Sequence, residues 1–174
     1  MSYTWTDPGH SYYSGRPDDS GDDLANGYLN GVFDTVDHES EDWVECIDGG
    51  AALLFDLGGV YNLGSIKIGY FFAPTYGLPQ PGSLDVEFSA NGADYTGSMN
   101  LPLTVQTWEA GVTPYAAIEE ELSFSATDAR YVRMFVNPIS SGAWMHLGEF
   151  TFNVPEPATM SLLGLGLLGL IRRK

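Results

Sequence analysis

Residues 83–89 read Ser83-Leu84-Asp85-Val86-Glu87-Phe88-Ser89, with an apolar side chain at every second position. A chain with that period separates an apolar face from a polar one only when it is extended, so Leu84, Val86 and Phe88 are expected to face a core. Asn91-Gly92 follows, a pair whose tolerance of positive backbone angles suits a tight hairpin, and Tyr95 is expected to begin the return strand. Similar signals recur along the chain. Residues 51–59 form a short apolar run ended by glycines, residues 65–70 alternate, and 118–124, 130–136 and 147–152 supply three further candidate strands. Residues 116–122 carry good helix formers, which leaves a helical turn as the alternative there. Residues 3–48 interleave Gly, Asp, Asn and Tyr and read as one or two short strands carrying long loops. Short strands without alternating helical segments favour an all-β antiparallel sandwich or barrel over a βαβ fold.

Charge narrows the choice of partner. The 174 residues, about one domain, hold 7 Lys and Arg against 23 Asp and Glu. Residues 1–154 contain only Arg16, Lys67, Arg130 and Arg133 against 22 acids, a charge of −18. So few cations exclude a reader of the phosphate backbone, and no nucleic acid is expected as a partner. An acidic surface suits cations or neutral ligands and keeps an exported protein soluble. The single cysteine, Cys46, rules out an intramolecular disulfide, so the core must do the stabilising. Cys46 lies in the apolar-rich segment Trp43-Val44-Glu45-Cys46-Ile47, where a buried thiol is the expected outcome.

Catalytic signatures are missing from the sequence. His10, His38 and His146 are scattered, with no His-Glu-x-x-His pair, and neither a Gly-x-Ser-x-Gly elbow nor a phosphate-binding glycine loop occurs. The acids Asp18, Asp19, Asp22 and Asp23, and Glu119 to Glu121, stand in runs typical of solvated loops or strand edges rather than of a paired-carboxylate site. No enzyme is expected.

Several segments, taken in order, resemble the discoidin, or coagulation factor V/VIII type C, domain. They are Asp23-Leu24-Ala25-Asn26-Gly27, then Ala52-Leu53-Leu54-Phe55-Asp56-Leu57-Gly58 with Tyr61-Asn62-Leu63-Gly64-Ser65-Ile66, and then Val86-Glu87-Phe88-Ser89 with Asn91-Gly92. Ala129-Arg130-Tyr131-Val132-Arg133-Met134 and Trp144-Met145-His146-Leu147-Gly148-Glu149-Phe150 complete the match. The resemblance implies a jelly-roll β-sandwich of the galactose-binding-like superfamily over residues 1–153, a noncatalytic module that binds glycans, lipids or protein surfaces through loops at one end. It also implies a structural Ca2+, held by a last-strand glutamate that Glu149 matches and by oxygens of the first long loop. There Asn26 stands in Leu24-Ala25-Asn26-Gly27 where the family often has aspartate, Asp23 lies close enough to supply charge, and Leu29-Asn30-Gly31 is a rival alignment. A solvated acidic loop without metal is the alternative. Sugar platforms would be exposed aromatics, because the apolar face of a pyranose packs on a ring. Tyr12, Tyr13, Tyr76 and Trp108 lie in expected loops, whereas Trp5, Trp43 and Trp144 adjoin apolar strands and are expected to pack in the core.

Residues 154–174 have three parts. Val154-Pro155-Glu156-Pro157 breaks off the last strand, residues 158–171 carry no charge, and Arg172-Arg173-Lys174 follow. As a short hydrophobic helix the uncharged run covers about 21 Å, less than the ~30 Å hydrocarbon core, and the basic end would stay cytoplasmic. This layout closely resembles the PEP-CTERM sorting signal, with Pro155, Glu156 and Pro157 as its motif. The resemblance implies transient membrane insertion, processing by an exosortase, and delivery to the cell envelope, surface or matrix of a Gram-negative bacterium. Such proteins carry an N-terminal signal peptide, whereas residues 1–5 show neither a basic start nor an apolar run, so a start upstream of Met1 is expected. The combined expectation is an exported module that binds extracellular polysaccharide or surface glycans. The alternative is a structural or adhesive matrix protein without a defined sugar site.

Overall fold

The computed structural model describes residues 1–5, 44–46, 50–74, 77–107, 116–141 and 144–153. They form β1 (Ser2–Trp5), β2 (Val44–Cys46), β3 (Ala51–Phe72), β4 (Pro81–Ser89), β5 (Thr96–Pro102), β6 (Ala116–Pro138) and β7 (Met145–Asn153). Every strand pairing among them is antiparallel, in the order β2-β7-β3-β6-β4-β5, with β1 added to β3. Two sequence expectations merge here. The separate strands expected at 51–59 and 65–70 are one 22-residue strand, β3, and those at 118–124 and 130–136 are one 23-residue strand, β6.

These long strands build both layers. Residues 51–56 of β3 pair with β1 and with 131–136 of β6, whereas 65–72 pair with β7 and with 116–123 of β6. The register shifts between Asp56 and Tyr61 and again between Leu63 and Ser65, where the ribbon bends from one layer into the other. Gly58 supports the bend with φ +81° and donates its N–H to Asp56 Oδ1 at 2.8 Å. Residues 116–122 are therefore strand rather than a helical turn, because their ladder to β3 satisfies the backbone whatever their helix propensity.

Leu84, Val86 and Phe88 face the core as their alternation predicts, and Cys46 is buried. Phe55 in the first layer meets Phe150 and Phe152 in the second with ring centroids 5.4 and 5.0 Å apart. The single seven-stranded sheet thus folds over into two layers with aromatic side chains meeting between them, a β-sandwich. On the outer face Asp85 accepts the amides of Asn100 (2.6 Å) and Asn137 (2.8 Å), tying β5, β4 and β6 together. The turn after β4 uses Asn91-Gly92 with Gly92 at φ +78°, although the return strand begins at Thr96 rather than Tyr95.

At the bend, the Asp56 carboxylate accepts Arg130 Nε and Nη2 at 2.9 Å each. Those bonds, with the Gly58 N–H, hold its pKa down at about 2. A carboxylate whose folded pKa is depressed stabilises the fold above its unfolded value and loses that contribution as pH falls toward the folded one. Unfolding midpoints in urea are expected to drop between about pH 4 and about pH 2, and Asp56→Asn is expected to flatten that part of the profile. An identical profile in the variant would show that the pair does not set it.

Candidate functional site

Because β3 and β6 traverse both layers, each begins and ends at the same end of the sandwich. Ala51 lies opposite Val136 and Phe72 opposite Ala116. Pro81 opens β4 opposite Pro138, and Pro102 closes β5 opposite Ser83. At the start of β7, Met145 lies opposite Cys46 and His146 opposite Phe71. The connections after Phe72, Pro102 and Pro138 therefore leave from one end. Gly50 brings the chain into β3 there at φ +106°, and a Cβ on it would clash with the Val136 carbonyl oxygen. No other residue type fits so close a backbone approach.

A polar clamp built on the buried Gln80 organises this end. Gln80, only 1% exposed, donates Nε2 to the Thr104 carbonyl at 2.9 Å and accepts the Gln106 N–H on Oε1. Glu120 Oε1 accepts both the N–H and the hydroxyl of Thr104 at 2.7 Å. Tyr70, buried beneath, makes a longer 3.4 Å bond to Glu120 Oε2, and burial followed by the Glu120 charge pushes its pKa up to about 12. Its hydroxyl stays protonated at neutral pH and can donate to that carboxylate. On the other side of this segment, the Gly82 carbonyl accepts the Leu103 N–H at 3.0 Å, and a Cβ on Gly82 would lie 3.1 Å from Ile139 Cα. The chain after β5 and the chain after β6 thus flank Gly82.

Large apolar side chains reach solvent here: Val105 after β5, Ile139 after β6 and Trp144 before β7. Trp144 corrects the expectation of core packing, since its side chain is 43% exposed. Apolar neighbours in sequence suggest burial, but the residue stands one position before β7 begins, where the core no longer covers it. Its adjacency to the strand start is the only signal available in sequence, and it points the wrong way.

The four aromatics expected as sugar platforms, Tyr12, Tyr13, Tyr76 and Trp108, lie outside the described residues. So do Trp43, Asp23, Asn26, the Pro155-Glu156-Pro157 motif, Arg172, Arg173, Lys174 and the short helix expected before them. Strands flanking Tyr76 and Trp108 nevertheless stop at the end just described. Of the expected calcium ligands, Glu149 is described. It is 4% exposed in β7, within the stretch where the register against β3 shifts between Ile68 and Tyr70. Among the described residues no group of three His, Cys, Asp or Glu gathers to hold a metal ion. Glu149 is a buried carboxylate, and a carboxylate is a hard oxygen donor of the kind that calcium takes.

No curated protein matches the chain. Residues 153–174 match a family model described as the PEP-CTERM protein-sorting motif. The tail is a PEP-CTERM sorting motif. This sorting motif takes up where β7 ends, at Asn153, so the last strand leads directly into it. Among solved structures, the chain is similar to the lectin domain of lectinolysin complexed with Lewis B antigen, at 16% identity and a TM-score of 0.53, covering 88% of this chain and 92% of that one. It is similar to the CBM32 of AlyQ in complex with 4,5-unsaturated mannuronic acid, at 18% identity and TM-score 0.50, covering 88% and 94%. A pectin binding carbohydrate binding module is similar at 16% identity and TM-score 0.51, covering 89% and 91%. Ahead of the sorting motif, the chain thus shares the β-sandwich fold of these carbohydrate-binding structures.

Proposed function

We propose that this protein is an exported, noncatalytic module that binds extracellular polysaccharide or surface glycans through the loop end of its sandwich. Residues 1–153 form the binding domain. Residues 154–174 insert transiently in the membrane and present the Pro155-Glu156-Pro157 motif to an exosortase in a Gram-negative envelope. The observation that carries this reading is the convergence of three strand connections at one end, the one after β5 clamped by Gln80 and Glu120, with Trp144 exposed beside them. Loops held on a rigid scaffold are where binding residues concentrate, and an indole offers a flat apolar face to a pyranose ring. Tyr12, Tyr13, Tyr76 and Trp108 are candidates to extend that platform. Calcium, when bound, would be held by Glu149 with first-loop oxygens from Asp23 and Asn26, and would supply rigidity to the loop.

A glycan array probed with the full chain in mild detergent, with calcium and again with chelator, tests the reading. Selective, saturable binding is expected, and its loss in chelator would support a calcium-organised site. Folded protein that binds no glycan in either condition would overturn the reading and favour a structural matrix role.

A further inference from the structure

Every described Lys and Arg is already committed to a carboxylate of the protein itself. Lys67 Nζ lies 2.9 Å from Glu119 Oε1, Arg130 pairs with Asp56, and Arg133 pairs with Glu87 through Nε at 2.7 Å while its guanidinium covers the Tyr95 ring at 4.3 Å. None of the three stands at the loop end. Lys67 and Arg133 lie within paired strand segments, and Arg130 sits at the opposite bend. The loop end instead offers Trp144, Val105 and Ile139 beside Thr104, Gln106 and Gln80, and the described carboxylate bonded to that segment is Glu120.

Resting on the glycan reading above, we infer that the site takes uncharged sugar chains and rejects uronic-acid polymers. A uronate carboxylate needs an available cation or a charge-assisted donor when it leaves water, and placing like charges together at an interface weakens binding strongly. Here it would approach a domain of charge −18 over residues 1–154, with the Glu120 carboxylate at the loop end. A neutral pyranose meets no such opposition. Its ring packs on the indole, and its hydroxyls both donate and accept hydrogen bonds, which suits threonine hydroxyls and glutamine amides. The solved carbohydrate complex that contains an unsaturated mannuronic acid shares the fold at only 18% identity, so the fold alone leaves this preference open.

The test uses the full chain carrying R16Q, R172Q, R173Q and K174Q, so that the cations outside the described residues contribute nothing. Its binding is measured against galactan, mannan and glucan, and against each polymer after oxidation of its C6 hydroxymethyl groups to carboxylates. At least one neutral polymer is expected to bind, with its oxidised form weaker by about tenfold or more at low salt. That gap should narrow as the screening length falls from about 30 Å at 0.01 M salt to about 3 Å at 1 M. Equal or tighter binding of the oxidised polymer, with calcium or in chelator, would overturn the inference while leaving the glycan reading standing. Failure to bind any polymer of either charge would remove the glycan reading itself.

Discussion

Replacing Phe55 with alanine is expected to destabilise the fold by about 3–5 kcal/mol, the range for a buried Phe→Ala change. Phe55 has no solvent exposure, and its ring contacts both layers, lying 5.6 Å from Tyr3, 5.4 Å from Phe150 and 5.0 Å from Phe152 between centroids. Truncation removes the transfer energy of the ring and leaves a cavity that two hydrogen-bonded layers cannot close around. Domains of this size are stable by only about 5–15 kcal/mol, and no intramolecular disulfide can hold this chain together in compensation. The urea midpoint should therefore fall sharply, while Phe55→Leu should lose much less. A loss below about 1 kcal/mol for the alanine variant would mean that the two layers do not meet at this ring.

Replacing Trp144 with alanine is expected to weaken glycan binding by about tenfold or more, as is typical when an aromatic anchor is lost. The urea midpoint should move far less than for Phe55→Ala, because Trp144 is 43% exposed and stands just before β7, outside the core. Trp144→Phe keeps a flat apolar face and should retain part of the affinity. Titration against whichever glycan the array selects, alongside unfolding curves for both variants, separates binding from folding. Unchanged affinity in the alanine variant would remove Trp144 from the site and leave the platform to Tyr76 and Trp108.

Much of the sandwich is legible in the amino-acid sequence. Alternation puts Leu84, Val86 and Phe88 on one face, and the Asn91-Gly92 pair marks the turn that joins β4 to its neighbour. The tail is more legible still, since its motif, uncharged run and basic end are contiguous in sequence and need no partner to be recognised. Strand continuity is not legible. Gly58, Gly59 and Gly64 look like punctuation between strands, and only the ladder from β3 to β6 on either side of the register shifts shows that the chain bends without stopping. The exposure of Trp144 is hidden for a related reason, because burial depends on where the second layer ends and no local pattern records that.

The all-β class, the side chains that face the core and the sorting tail all follow from the order of residues, because period, turn chemistry and contiguous motifs are short-range properties of the chain. Three-dimensional packing was needed to bring the connections together at one end, to clamp the segment after β5 between Gln80 and Glu120, and to turn Trp144 toward solvent. Those facts join residues as far apart as Gly50 and Val136. The length and bending of two strands set them, and these in turn depend on pairing between distant segments.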